Sequence, residues 1–159
     1  MREEFAGLSD LAGSLRSRGE SISVAESLTG GGLAAALSSL PGSSDFFIGS
    51  VTAYQSAIKS SILQVPANLI SEFGVVSEEV AAAMAAGVKA LMNSTWAIST
   101  TGVAGPGPSD GEAAGTVWVA ITGPITQTLQ LELPGTREIV RNATIAGAIA
   151  AFARILKTL

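Results

Sequence analysis

The sequence predicts a three-layer α/β/α domain with a mixed, mostly parallel sheet. Three observations point to it. Before Thr101, short β-like runs alternate with stretches of helical periodicity, the arrangement of parallel strands joined by helical crossovers. Near the end, Thr122-Gly123-Pro124 separates two further β-like runs, which makes them an antiparallel pair. The chain is 47% hydrophobic and only 14% charged, as a domain with large buried helix and sheet faces requires. A length of 159 residues suits one domain with one core, spanning 1–159.

Each element follows from local pattern. From Glu3 to Arg18, Phe5, Leu8, Leu11, Ala12 and Leu15 recur at helical spacing, and Gly19 stops the helix. Ile22, Val24 and Ala25 make a short strand that runs into Glu26 and the triple glycine Gly30-Gly31-Gly32. An Ala- and Leu-rich helix then continues to Leu40 and ends at Pro41-Gly42. Phe46–Tyr54 reads as a strand, Ala57–Leu63 as a short helix, and Pro66–Phe73 as another with proline in its first turn.

Ser77 is placed as an N-cap, with Glu78 and Glu79 at the positive end of the helix and Val80, Met84, Val88 and Leu91 as its buried face. Trp96–Thr100 is a strand leading to Thr101-Gly102-Val103-Ala104-Gly105-Pro106, and Gly107–Gly115 is a loop. Thr116–Ile121 and Thr126–Leu133 are the hairpin strands. The last helix runs from about Thr136 to Lys157, with Ile139, Ala143, Ala146, Ile149, Ala150 and Ile155 expected toward the core.

Composition narrows the function. A formal charge of -4 with no run of Lys or Arg lacks the electrostatic footprint of a nucleic-acid binder. Met1-Arg2-Glu3-Glu4 is not followed by the apolar segment of a signal peptide, and apolar stretches are expected to break off short of the ~20 residues that cross a bilayer. A cytoplasmic protein with no membrane partner is the expectation. With no His and no Cys, zinc, copper and haem sites lose their main ligands.

The same absence shapes any catalysis. The imidazole base and the thiolate nucleophile are both excluded, so proton transfer falls to a lysine, a tyrosine or a carboxylate. The only tyrosine, Tyr54, lies five residues before Lys59, one of three lysines. Ser44 lies ten residues before Tyr54. A serine hydroxyl needs a base, and a neutral lysine can serve. The plainer reading puts Ser44 in a turn, Tyr54 at a strand end and Lys59 on a solvated helix face.

Glu26-Ser27-Leu28-Thr29-Gly30-Gly31 could bring unpaired backbone N–H groups to an anion, or could simply be a tight turn into a helix; it has neither a Walker lysine nor a dinucleotide fingerprint. Thr101, at a strand end, offers a hydroxyl and backbone donors. Arg137 and Arg141 can grip phosphate or carboxylate, or can sit on a solvated helix face beside Glu138. Active sites in such folds gather at strand ends.

Six blocks, taken in order, resemble the CinA carboxy-terminal domain family: Ala25–Gly31, Pro41–Ser44, Tyr54 with Lys59, Val76–Ala81, Thr101–Pro106 and Gly115–Trp118. The resemblance covers roughly Arg2 to Leu156. It implies a cofactor-free amidohydrolase that converts nicotinamide mononucleotide and water to nicotinic acid mononucleotide and ammonia by a Ser-Lys type of mechanism, with no metal.

By position, the resemblance makes Ser44 the nucleophile, Lys59 the base and Tyr54 its helper. Thr101 with Gly102 and Gly105 is expected beside the amide, Arg137 near the nucleotide, and the block holding Glu26, Ser27, Thr29, Gly30 and Gly31 in the pocket wall. The expected partners are a small nucleotide substrate and further copies of the chain in a homo-oligomer. Where the family has Tyr-Ser-Asn-Glu-Ala-Lys, this chain has Tyr54-Gln55-Ser56-Ala57-Ile58-Lys59, and the loop before Gly115 is shorter. A non-catalytic nucleotide-binding protein and an amidase for another small amide remain as alternatives.

Overall fold

Five strands, β1 (Ile22–Glu26), β2 (Phe47–Thr52), β3 (Trp96–Gly102), β4 (Thr116–Thr122) and β5 (Gln127–Glu132), form one sheet in the order β2-β1-β3-β4-β5. The computed structural model describes residues 5–159. β1 pairs in parallel with both β2 and β3, while β3 with β4 and β4 with β5 are antiparallel. The sheet is therefore mixed, as predicted, with only β4 running against the other four. α1 (Leu8–Arg18), α2 (Gly32–Ser38) and α6 (Arg137–Lys157) share one face, and α5 (Glu78–Met92) covers the other with α4 (Ala67–Phe73) against it. α3 (Ser56–Ser61) follows β2 directly.

Strand alternation sends residues of different size to the two faces. Ile22, Val24, Trp96, Ile98, Val117, Val119 and Ile121 point to the α1/α2/α6 side, where Phe152 of α6 meets the Trp96 ring edge-on at 5.2 Å. Ser23, Ala25, Ala97, Ser99 and Ala120 point to α5. Their small side chains let that helix come close enough for Ser99 Oγ to donate to the Ala81 carbonyl at 2.5 Å and for Ser23 Oγ to donate to the Val88 carbonyl at 3.4 Å.

The helix caps follow the sequence. Gly19 ends α1 at φ 65°, and Ser77 Oγ accepts from the Val80 N–H to start α5. Other expectations need correction. α1 begins at Leu8, after a turn through Gly7 at φ 90°; of its expected start, Glu3 and Glu4 lie outside the described residues. Leu91 is 56% exposed, because the Val80, Met84, Val88 series continues by fours to Met92.

The predicted face of α6 holds at Ile149 and Ile155, which are buried, and at half-buried Ala143, but fails elsewhere. Ile139 is 53% exposed, and Ala146 and Ala150 are exposed too; the buried stripe is Val140, Thr144, Ile145, Ala148, Ile149, Phe152 and Ile155. Alanine and β-branched residues surround this helix, so several apolar stripes compete, and contact of Phe152 with Trp96 selects one. α6, 21 residues long with an 18-residue window at a mean hydropathy of 1.4, is long and apolar enough to cross a membrane by length and composition, although Arg141, Asn142 and Arg154 interrupt it. Its buried stripe is packed on the sheet.

One buried carboxylate organises the first crossover. Glu26, at the end of β1 and 0% exposed, accepts from the N–H groups of Leu33 at 2.7 Å and Ala34 at 3.0 Å. These are donors of the first turn of α2, a helix with no cap of its own, so Glu26 fills the place where the sequence allowed an external anion. Gly30 and Gly31 carry the chain there at φ 60° and 99°, conformations suited to glycine.

Two stability outcomes follow, both read by denaturant unfolding. Phe152→Ala is expected to cost about 3–5 kcal/mol and Ile139→Ala less than about 1 kcal/mol. Equal losses would contradict the assigned face of α6. Glu26→Ala, which leaves two buried N–H groups without an acceptor, is expected to cost about 2–4 kcal/mol. A change below about 0.5 kcal/mol would exclude its capping role.

Candidate active site

Parallel pairing brings the carboxyl ends of β1, β2 and β3 level, with Glu26 beside both Thr52 and Thr100. The residues that follow these strands therefore meet: Ser27 after β1, Tyr54 after β2, and Thr101 in the last turn of β3. Ser27 is tied to the neighbouring strand by its N–H, which donates to the Thr100 carbonyl at 2.9 Å. Lys59 comes from α3, whose first turn is closed by the N–H groups of Ile58 and Lys59 donating to the Gln55 carbonyl.

The Lys59 side chain folds back into this corner. Its Nζ donates to Ser27 Oγ at 2.9 Å, to the Ala53 carbonyl at 2.8 Å and to the Tyr54 carbonyl at 3.2 Å. Three donors thus meet three oxygen acceptors, which a buried ammonium needs. Ser27 Oγ is itself 3.4 Å from the Tyr54 carbonyl. Lys59 is 1% exposed, and this desolvation lowers its pKa from 10.5 to about 8, against the upward pull of the Asp110 carboxylate.

Ser27 and Lys59 lie in the wall of a pocket of about 320 Å³. Val75, Val76, Val103 and Ala104 make its apolar side. Gln55 and Ser56, which depart from the family pattern, border it together with Ser109 and Asp110 of the shortened loop. Arg137 reaches it from the first turn of α6, donating from Nη1 to the Gly105 carbonyl and from Nη2 to the Tyr54 hydroxyl, both at 2.8 Å. Its partners are neutral oxygens, and among the described residues it forms no ion pair.

The expected site residues divide into two groups. Ser27, Tyr54, Lys59, Thr101, Gly102, Gly105 and Arg137 all line the pocket. Glu26, Thr29, Gly30, Gly31 and Arg141 support it from behind. Thr29 Oγ1 is 2.7 Å from Thr100 Oγ1, and Arg141 donates to the carbonyls of Leu28 at 3.0 Å and Thr29 at 3.2 Å, fixing the turn that carries Ser27. The Thr101 hydroxyl is committed to the Val75 carbonyl at 2.9 Å, and Gly102 has no room for a Cβ, which would lie 2.8 Å from the Thr116 carbonyl.

Ser44 needs correction. It is exposed in a 3-10 turn, Ser43–Asp45, at the start of β2, whereas Tyr54 and Lys59 follow the end of that strand. Six strand residues of roughly 3.3 Å rise put about 20 Å between them, beyond any side-chain rotation. Tyr54 also differs from expectation: its carbonyl, not its hydroxyl, touches Lys59, and its ring is 55% exposed.

Sequence reasoning held Ser27 only as a pocket residue and missed its partnership with Lys59. The signal was present, since Ser27 follows a strand and Ser44 precedes one, and sites in these sheets form at carboxyl ends. Among the described residues, no group of three or more acidic side chains is placed to hold a metal.

The family model described as the CinA C-terminal domain matches residues 7–156. A CinA-like protein of Synechococcus sp. (strain RCC307) is 50% identical over 111 residues, covering 69% of this chain and 27% of that protein. A CinA-like protein of Frankia casuarinae is 40% identical over 145 residues, covering 91% and 34%. The chain thus spans between a quarter and about a third of the length of these curated relatives.

Among solved structures, a competence-damaged protein (CinA) superfamily protein from Klebsiella pneumoniae matches with a TM-score of 0.92 at 33% identity, over 96% of this chain and 97% of that one. The competence/damage inducible protein CihA from Agrobacterium tumefaciens matches with a TM-score of 0.86 at 28% identity, over 96% of both. Matched by the family model along nearly its whole length and sharing its fold with these solved relatives, the chain belongs to the CinA carboxy-terminal domain family.

Proposed function

We propose that this domain hydrolyses the carboxamide of nicotinamide mononucleotide to nicotinic acid mononucleotide and ammonia, with Ser27 as nucleophile and Lys59 as base. The observation that carries this reading is the 2.9 Å hydrogen bond between Lys59 Nζ and Ser27 Oγ in a buried corner of the pocket. Family membership supports it, and the lowered lysine pKa makes the chemistry feasible. With a pKa of about 8, about a tenth of Lys59 is neutral at pH 7, whereas at 10.5 the fraction is about three in ten thousand.

Neutral Lys59 accepts the Ser27 proton as Oγ bonds to the amide carbon. The proton then passes from Nζ to the amide nitrogen, the C–N bond breaks, and ammonia leaves an acyl ester on Ser27. Water attacks that ester and gives one proton to Lys59, which passes it to Ser27 Oγ as the ester C–O bond breaks; the acid product releases water's second proton to solvent and departs as the carboxylate. The Leu28 N–H, beside Ser27, has no protein acceptor among the described residues, and we assign it to the developing oxyanion. Arg137, with only neutral partners, is assigned to the phosphate.

Ammonia release from this nucleotide tests the reading. Ser27→Ala is expected to lower it by about a thousandfold or more, while Ser44→Ala stays within about twofold of wild type. A reversed pattern would return the nucleophile to Ser44, and binding without turnover by the wild type would favour the non-catalytic alternative.

The base must be neutral, so kcat/KM is expected to rise with pH and level off above about 8. Stability carries the same signature. The folded pKa lies below the unfolded value, so between about 8 and 10.5 the unfolded chain binds more protons and the wild type gains stability as pH rises. Unfolding measured across that range should show the gain for wild type relative to Lys59→Met; parallel curves would mean that Lys59 is not desolvated.

A further inference from the structure

Three charged side chains line the pocket: Lys59, Arg137 and Asp110. The proposed reaction uses the two cations and leaves Asp110 without a role. The loop nevertheless holds it in place. The N–H of Ser109 donates to the Glu112 carbonyl at 3.0 Å, and that of Glu112 to the Ser109 carbonyl at 2.9 Å, closing a small antiparallel bridge around Asp110. Asp110 takes a left-handed φ of 53°, and Ser109 Oγ donates to its Oδ2 at 3.1 Å. Among the described residues Asp110 forms no ion pair, so its charge faces the pocket unneutralised.

We propose that Asp110 is a specificity-determining residue that selects amides carried on a cationic ring, its carboxylate lying against the substrate's pyridinium while Ser27 engages the amide carbon. The inference rests on the amidase reading above. In nicotinamide mononucleotide the amide carbon is one bond from a ring that carries a full positive charge. When that carbon reaches Ser27, the ring lies in the pocket that Lys59 and the loop bearing Asp110 both border. A pocket with Lys59 and Arg137 alone would repel such a ring; one carboxylate reverses the sign locally.

The same contact acts on the base. Asp110 favours the charged form of Lys59. A cationic ring placed between them offsets the carboxylate and adds its own repulsion, so proton loss from Lys59 becomes easier when substrate is bound.

The test compares nicotinamide mononucleotide with its 1,4-dihydro form, which keeps ribose, phosphate and carboxamide but has a neutral ring. Binding is measured by calorimetry, and ammonia release in parallel, for wild type, Asp110→Asn and Asp110→Glu. Wild type is expected to bind the cationic form about tenfold more tightly, the scale of one partly screened charge pair. Asp110→Asn should reduce the preference to within about twofold by weakening the cationic ligand alone, and Asp110→Glu should retain most of it.

A preference that survives in Asp110→Asn, or equal weakening of both ligands, overturns the role of Asp110 even if ammonia is released. A preference lost in Asp110→Asn while wild type releases no ammonia overturns the amidase reading and keeps Asp110 as the ring-selecting group. Failure of wild type to bind either ligand overturns both.

Discussion

The site depends on the burial of one ammonium group. Lys59 is 1% exposed, and its Nζ is held by one hydroxyl and two main-chain carbonyls, with no ion pair to a carboxylate among the described residues. These neutral oxygens satisfy the three N–H donors without supplying a compensating full charge, so desolvation wins and the proton is held weakly. An ion pair at the same place would have kept the lysine protonated. Asp110, in the same pocket, pulls the other way but only moderates the effect.

Holding those acceptors in place requires the sheet. Two of them, Ala53 and Tyr54, follow β2, and the third, Ser27, follows β1; the Ala53 N–H donating to the Glu26 carbonyl at 2.8 Å ties the two strand ends together. Glu26 then turns its carboxylate to the first turn of α2, and Arg141 secures the intervening carbonyls of Leu28 and Thr29 from α6. The turn carrying Ser27 is thus fixed at both ends by charge-assisted hydrogen bonds. Such support keeps a catalytic side chain in one geometry.

Much of the fold is legible in the sequence. The capping serine of α5, the glycine stop of α1, the hairpin and the order of strands and helices all follow from short-range preferences. The faces of α5 and α6 were less legible at Leu91, Ile139, Ala146 and Ala150, because a helix rich in alanine and branched residues offers more than one apolar stripe. Trp96 and Phe152, 56 residues apart, decide the matter by touching. Within the site, Arg137 and Arg141 look alike in sequence, four residues apart on one helix. Only their partners separate the pocket cation from the one that braces the turn.

The sequence by itself determined what chemistry was open: without His or Cys, proton transfer falls to a lysine, a tyrosine or a carboxylate, and Tyr54-to-Lys59 marked the place. It also determined the element order and hence a sheet with its functional residues at strand ends. Tertiary structure alone decided which serine meets the lysine. Ser44 is the nearer in sequence, but an intervening extended strand carries it about 20 Å away. Ser27, 32 residues from Lys59, is brought to 2.9 Å because parallel pairing sets the carboxyl ends of β1 and β2 side by side.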